Sequence, residues 1–368
     1  MDFIEEVRAL AEEYEACGGC DGTGWETRRT LFNPPATMEE VRAFEQEMHL
    51  TLPENMVRYL TELGNGGIGP DYNIYSLKKM REKNPNAAAY AAREPMIGSD
   101  MPDEEWNAFI KAYEEADTLS CRSKDPEEAE RADAQIEEMT ARLLAGGIYI
   151  STPGCTMDTL LMCKGAAAGC VTTIDFEYLP YYRAVPHGTD FEGWMINGLH
   201  RKIEKRKNGV EIWLVTRYNE NGLGMKGEAL TDQIIALRLA QLREEGTKDV
   251  DGLEPAIRDF YRRNFENGSF RLYVGIKDKE VIGTAGLSFA EKPPYPACPS
   301  GKLGLLSSVY VKPEFRRRGI AKRLVGFVLR LAREKGCGAV HITASDAGVK
   351  LYSAMGFTHN KNFMQYTL

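Results

Sequence analysis

The sequence predicts two domains of different class, an α+β domain followed by a mixed α/β domain. Its 368 residues exceed the length at which a single hydrophobic core usually stops growing. The helix-like run TDFEGWMINGLHRKIEKR ends in basic residues followed by Asn208-Gly209, which is a helix-stop signal. The apolar run VEIWLV begins directly afterwards. We therefore predict a boundary near 201–211 and domains over 1–207 and 208–368.

The composition is that of an ordinary globular protein, with 43% hydrophobic and 27% charged residues. The net charge of -8 provides no general positive field for nucleic acid, so an anion site must be local. Apolar stretches are too short for a transmembrane helix, and the acidic N-terminus lacks the pattern of a secretory signal. We expect a cytoplasmic protein that binds neither nucleic acid nor membrane and keeps its eight cysteines reduced.

The first domain begins with a predicted helix over roughly 2–15, which the Gly-rich run CGGCDGTG ends. Thr37-Met38-Glu39-Glu40 is a capping box, in which the Thr hydroxyl covers a free N–H and the Glu reaches back. Pro53 suits the first turn of another helix, which Asn65-Gly66-Gly67 ends. The predicted buried faces of these two helices are Val41, Phe44, Met48, Met56, Val57, Leu60 and Leu63.

Residues 103–145 are acidic and helix-prone, which predicts a helical insertion at the surface. Short strands follow at 147–150, 158–163 and 170–175. Gly165 to Gly169 would turn the last two strands into a hairpin. One apolar helix face then contains Phe191, Trp194, Met195 and Leu199. Helices, then strands, then a helix are typical of an α+β domain.

The stretch PPATMEEVRAFEQEMHLTLPENMVRYLTELGNGG resembles the SUKH superfamily, which contains the yeast cell-wall assembly regulators and many bacterial immunity proteins. The signature positions of that family are held here by Glu45, Leu52, Pro53, Gly66 and Gly67. The resemblance implies a SUKH-like protein-binding module, commonly one that neutralises a toxin, without catalytic residues. The acidic stretch departs from the compact form of the family. The alternative is a helical adaptor that only packs against the second domain.

The second domain alternates strands and helices in an order typical of a mixed α/β sheet. EIWLVTRY is a predicted strand, and two helices follow in ALTDQIIALRLAQLREEG and LEPAIRDFYRRNFENG. FRLYVGI and VIGTAGLSFA are strands joined by the turn 277–280, and LGLLSSVYV is the next strand. The helix GIAKRLVGFVLRLAREKG, the strand AVHITAS, the helix DAGVKLYSAMGF and the strand NFMQYTL complete the domain.

Three arginines, Arg316, Arg317 and Arg318, precede the helix that begins near Gly319. Cations are unfavourable there because the helix dipole already places about half a positive charge at this end. They become favourable if an anion docks, since the free N–H groups of the first turn then point at phosphate oxygens. Gly319 would let the backbone approach such a ligand closely.

This segment resembles motif A of the GNAT superfamily of N-acetyltransferases, Arg/Gln-x-x-Gly-x-Gly/Ala after a strand. The resemblance covers about 211–368 and implies a GNAT mixed α/β acyl-CoA N-acyltransferase fold. In that family the loop binds the pyrophosphate of acetyl-CoA, and the preceding strand pairs with the pantetheine arm. The residues that would bind acetyl-CoA are Val309, Tyr310, Val311, Arg316, Arg317, Arg318, Gly319, Ile320 and Ala321.

The same resemblance implies two catalytic groups. LYSAMGF resembles motif B, where a tyrosine commonly protonates the departing CoA thiolate, and that position is Tyr352. A phenol with a pKa of about 10 can donate a proton to a thiolate. The backbone N–H of Val309 would hold the oxygen that becomes negative. The implied activity is direct acetyl transfer from acetyl-CoA to an unidentified amine. The alternative is a toxin-immunity or adaptor protein whose acyltransferase domain is inactive.

Other residues leave alternatives open. General-base candidates are Glu228, Glu266 and Glu291, each of which also suits a surface position. His341 has apolar neighbours and is expected in the core rather than as a base. The Pro-rich run FAEKPPYPACPSGKLG is either a wall of the acceptor pocket or an ordinary hairpin; with RRRGIA it resembles a branch of bacterial acyltransferases. Cys17-x-x-Cys20 could be half a zinc site, but the other cysteines are scattered, so free thiols and no metal are expected.

Overall fold

The structure is a computed structural model that describes residues 2–18, 31–98, 101–154, 157–175, 190–215, 227–296 and 298–359. The chain divides into two compact units, Met1–Arg206 and Lys207–Leu368. Cys20 and the predicted strand NFMQYTL lie outside the described residues. Among the helices in the described ranges, none is both long and apolar enough to cross a membrane.

The first unit opens with three helices whose starts follow from local sequence. Helix α1 (Phe3–Ala16) is capped by Asp2, whose carboxylate accepts from the Ile4 N–H at 3.0 Å. Helix α2 (Met38–Met48) has the predicted capping box, with the Glu40 N–H donating to the Thr37 hydroxyl at 3.2 Å. Helix α3 (Glu54–Arg58) continues as a π-helical turn, Tyr59–Leu63. The predicted inner faces are buried, apart from the half-buried Val57.

The rest of the first unit places a small sheet on this helical layer. Its elements are β1 (Gly67–Ile68), β2 (Asn73–Ile74), α4 (Leu77–Lys83), α5 (Ala87–Tyr90), α6 (Asp103–Arg122), α7 (Pro126–Leu144), β3 (Gly147–Gly154), β4 (Met157–Met162), β5 (Val171–Asp175) and α8 (Phe191–Asn208). Strands β3, β4 and β5 form an antiparallel sheet in that order. Ile148 and Leu161 join the main core together with α1, α2, α3 and α8.

Helices α6 and α7 differ from the surface insertion that we predicted. Trp106, Phe109 and Met139 are buried and share one apolar cluster with Leu160 and Met162 of β4. The two helices therefore cover the second face of the sheet. The acidic residues of these helices lie on their outer faces. Because acidic residues dominate the sequence of 103–145, the narrow apolar stripe of each helix was not recognised.

In its described residues, the second unit is a five-stranded sheet with helices on both faces. Its elements are β6 (Glu211–Val215), α9 (Gly227–Glu244), α10 (Glu254–Asn267), β7 (Phe270–Lys277), β8 (Glu280–Glu291), β9 (Lys302–Val311), α11 (Ile320–Glu334), β10 (Ala339–His341) and α12 (Asp346–Ala354). The strand order is β10-β9-β8-β7-β6, and only β10 and β9 are parallel. The predicted mixed α/β order is confirmed. Helices α11 and α12 pack on one face, and α9 and α10 on the other.

Candidate active site

The parallel strands β9 and β10 separate partway along the sheet. They pair only through Ala339–Leu303, Val340–Gly304 and His341–Leu305. Strand β9 continues to Val311, whereas β10 ends at His341. Within the described part of the chain, the edge of residues 306–311 that faces away from β8 therefore has no strand partner. Such an edge offers its backbone groups to an extended ligand.

A β-bulge interrupts β9 beside this open edge. Thr284 pairs with Tyr310 and Gly286 with Ser307, so that Ser308 and Val309 both lie opposite one residue of β8. Ser308 has a left-handed φ of 52°, and its carbonyl accepts a buried hydrogen bond from the Thr284 hydroxyl at 2.7 Å. A bulge takes a residue out of the regular ladder. The predicted oxyanion role of Val309 needs a backbone N–H that the sheet does not consume.

The loop before α11 contains two residues with left-handed backbone. Arg317 and Gly319 are both left-handed, with φ of 65° and 85°. No side chain caps the helix, and a side chain added at Gly319 would meet nothing within 4 Å. Ile320 is buried and fixes the helix start to the core. The first turn of α11 therefore has no side-chain cap for its N–H groups, and the space beside Gly319 is open.

The three arginines of this loop differ in their contacts. Arg316 donates to the Val311 carbonyl at 2.8 Å and to Glu244 at 2.7 Å, and Glu244 is the last residue of α9. Arg318 donates to the Glu314 carbonyl at 3.0 Å. The exposed Arg317 side chain makes no hydrogen bond or ion pair with the residues that the structure describes. Among the other predicted ligands, Val311 is buried, and Val309, Tyr310 and Ala321 are half-buried.

Tyr352 lies on α12 and is buried, with 7% of its surface exposed. Its ring packs edge-on against Phe357 at 5.5 Å between centroids. No hydrogen bond to its hydroxyl is present among the described residues. Burial raises the pKa of Tyr352 to about 12, and the negative charge of Glu245 adds to the rise. The phenol therefore carries its proton at neutral pH.

Sequence reasoning missed the acidic end of α9. Arg238 donates to Gln241 at 2.9 Å, and the buried Gln241 donates to Glu245 at 2.9 Å, so this carboxylate is held in place. Glu244 precedes it and pairs with Arg316. A signal was present in the sequence, because two glutamates at a helix C-terminus face the negative end of the dipole.

Among the predicted base candidates, Glu291 is the one whose side chain the structure describes, and it lies away from this site. Glu291 pairs with Lys302 at the start of β9. Lys302 lies five residues before Ser307, which corresponds to about 17 Å along the strand. The side chains of Glu228 and Glu266 lie outside the described residues. The prediction that His341 is a core residue is wrong, because it is exposed. Strand alternation turns Val340 toward the core and His341 to the other face, at the last pair before β9 and β10 separate.

The Pro-rich run lies at the far end of β9. It closes on itself, since the Lys292 N–H donates to the Gly301 carbonyl at 3.0 Å. The Gly338 N–H donates to the Lys302 carbonyl at 2.9 Å and connects this end of the loop to β10. A position remote from the bulge favours the ordinary hairpin over an acceptor wall.

We compared the chain with protein families, with curated proteins and with solved structures. Residues 236–357 match the acetyltransferase (GNAT) family model. Aminoglycoside N(6')-acetyltransferase type 1 of Salmonella typhimurium is 29% identical over 97 residues; the match covers 26% of this chain and 66% of that relative, just under two thirds of its length. A GCN5-related N-acetyltransferase from Ralstonia eutropha JMP134 is 23% identical, with 43% of this chain and 99% of that chain covered and a TM-score of 0.38. A predicted acetyltransferase with acetyl-CoA from Clostridium acetobutylicum is 18% identical, with 43% and 96% covered and a TM-score of 0.37. Residues 236–357 of this chain are a GNAT acetyltransferase domain.

Proposed function

We propose that this chain is an acetyl-CoA-dependent N-acetyltransferase that transfers the acetyl group directly to an acceptor amine. One observation supports the proposal: a single strand, β9, combines an open edge, a bulge at Ser308 and, after Val311, a loop that leads into the uncapped start of α11. An extended pantetheine arm would lie along the open edge. The pyrophosphate would then reach the start of α11, where the space beyond Gly319 is open.

The residues present fit the two ends of acetyl-CoA. Its phosphates carry negative charge, the Arg317 side chain is exposed, and the first-turn N–H groups of α11 have no side-chain cap. Its thioester would lie near the bulge, beside the N–H of Val309. We leave the acceptor as an amine of unspecified kind, since the curated aminoglycoside enzyme matches only 26% of this chain.

The reaction requires stabilisation of a negative oxygen, protonation of the leaving sulfur and removal of one proton from the amine. The amine nitrogen attacks the thioester carbon, and the Val309 N–H holds the oxygen that becomes negative. The C–S bond then breaks, sulfur takes the electron pair, and Tyr352 donates its proton to the thiolate. The amine loses one proton, and the carboxylate of Glu245 is held at the end of α9 to receive it. Acetylated amine and CoA thiol leave, and the proton held by Glu245 passes through water to Tyr352, which restores both groups.

For the first unit we propose a SUKH-like module that binds a protein partner. Two contacts of its signature residues support this. The Leu52 N–H donates to the Glu45 carboxylate at 2.8 Å, which joins the embedded Glu to the Leu-Pro pair. Gly66 has a φ of 85°, and a Cβ there would lie 2.8 Å from the Ser76 nitrogen, so a glycine is needed.

The test is thiol release from acetyl-CoA with a panel of amines, for the parent, Tyr352→Phe and Glu245→Gln. Tyr352→Phe should lower kcat by about 100-fold, because it removes the proton donor. Glu245→Gln should lower kcat/KM for the amine, because it removes the carboxylate that receives the proton. Tyr295→Phe, in the Pro-rich loop, is the matched control and should keep full activity. A parent without turnover on any amine, whose first unit binds a partner protein tightly, would favour the inactive binding protein instead.

A further inference from the structure

Arg316 is turned back onto the fold, away from the start of α11. Its Nε donates to the Val311 carbonyl at 2.8 Å, and an Nη donates to the Glu244 carboxylate at 2.7 Å. Its guanidinium also lies 5.3 Å from the centroid of the Tyr310 ring. The guanidinium therefore donates hydrogen bonds within the protein and also lies over an aromatic ring.

Glu244 holds two residues of the site at once. Its carboxylate accepts from Arg316 and, at 3.3 Å, from the Tyr310 hydroxyl. As the last residue of α9, it lies at the negative end of the helix dipole, where a carboxylate is unfavourable by itself. The hydrogen bond from Arg316 offsets this and holds the pKa of Glu244 below its usual range.

The residue after Arg316 shows why the loop needs such a contact. Arg317 has a φ of 65°, a conformation that an arginine disfavours. A backbone of this kind persists when its neighbours hold it. On one side the buried Ile320 fixes the helix start, and on the other the Arg316 side chain is fixed by Glu244.

From this geometry we propose that Glu244 is a positioning residue for acetyl-CoA and that it acts through Arg316 and Tyr310. Arg316 is then an anchor of the loop and does not bind phosphate, in contrast to the role that the family resemblance implies for it. Arg317 and the backbone N–H groups meet the phosphates. This role rests on the proposed function, because it concerns the same acetyl-CoA site.

The test is a double-mutant cycle on Glu244→Gln and Arg316→Met, read out as the Kd for acetyl-CoA by titration calorimetry and as kcat at saturation. Each single change should raise Kd by about 10-fold, and the pair together should also raise it by about 10-fold, because both remove one anchor. At saturating acetyl-CoA, kcat should stay within about twofold of the parent. Asp232→Asn is the matched control, since Asp232 lies on the same helix and pairs with Arg258 at 2.8 Å.

The opposite assignment gives a different result. If Arg316 binds phosphate, Glu244→Gln frees it, and acetyl-CoA should bind as tightly as before or more tightly; this outcome overturns the proposal. Multiplied effects in the double variant also overturn it. If Glu244→Gln fails to fold, Tyr310→Phe removes the hydroxyl that donates to Glu244, keeps the aromatic ring, and should raise Kd by about threefold. If the parent protein does not bind acetyl-CoA, the proposed function itself is contradicted. If the parent binds acetyl-CoA and Glu244→Gln leaves the Kd unchanged, only the positioning role is contradicted.

Discussion

The Thr284 hydroxyl donates a hydrogen bond to the Ser308 carbonyl at 2.7 Å, and both residues are buried. This contact joins β8 to the irregular point of β9. The bulge is therefore held from the neighbouring strand, as a preorganised backbone donor at Val309 requires.

Replacing Thr284 by Val keeps the shape of the side chain but leaves the Ser308 carbonyl buried without this donor. We expect a loss of about 1–3 kcal/mol in the free energy of unfolding, measured with urea. We also expect kcat to fall more than the affinity for acetyl-CoA, because Val309 shifts. Thr247→Val removes an exposed hydroxyl and should leave stability unchanged. An unchanged kcat in a destabilised Thr284→Val would separate the bulge from catalysis.

Gly319 permits two substitutions with different consequences. Alanine must adopt a left-handed φ, which costs about 1–2 kcal/mol, but it adds no charge. Glutamate adds a negative charge where the phosphates would bind. At 100 times its Kd, acetyl-CoA should stabilise the parent by about 2.7 kcal/mol in thermal unfolding. The shift should be reduced in Gly319→Ala and absent in Gly319→Glu. A full shift in Gly319→Glu would show that the ligand binds elsewhere.

The sequence predicted those features that depend on neighbouring residues. The capping box at Thr37 is one, and the turn between β7 and β8 is another, where Asp278 and Lys279 are both left-handed. Features that depend on distant contacts were missed. The bulge at Ser308 is defined only by the register with β8, and the Arg316 contact joins residues 72 positions apart.

The burial of His341 also depends on distant contacts, and here the prediction from the sequence was wrong. Its apolar neighbours in the sequence indicated a core position, but burial on a strand depends on which face has a covering layer. Val340 faces α11 and packs on the core, while His341 faces the side where the strand is exposed. The direction of one side chain relative to a helix far along the chain cannot be read from a short apolar run.

The packing of α6 and α7 predicts a large effect of one core substitution. Trp106 is 5% exposed and stacks on Phe109 at 6.0 Å between ring centroids. Trp106→Ala should destabilise the first unit by about 3–5 kcal/mol, measured as its urea unfolding transition. Leu119→Ala, on the same helix, removes a side chain that is 43% exposed and should cost less than about 0.5 kcal/mol. If both substitutions change the free energy of unfolding by a similar, small amount, these helices are a surface insertion and not part of the core.

Asp71 predicts how the stability of the first unit changes with pH. The Thr159 hydroxyl donates to the Asp71 carboxylate. Burial nevertheless raises the pKa of Asp71, although this hydrogen bond and the charges of Lys202 and Arg201 oppose the rise. Because the pKa is higher in the folded state, protonation of Asp71 stabilises the fold. This contribution is complete below the unfolded pKa of about 4 and is lost as pH rises through the folded pKa.

Asp71→Asn removes this titration and keeps an oxygen that accepts from Thr159. The free energy of unfolding of the variant, relative to that of the parent, should therefore increase as pH rises above about 4 and then level off, so that the variant is the more stable protein at neutral pH. Urea unfolding of both proteins at a series of pH values from about 3 to 8 measures this difference, because that range includes the unfolded pKa. If Asp71→Asn gives a curve parallel to that of the parent, Asp71 does not titrate differently in the folded and unfolded states, and its burial does not control the pH dependence.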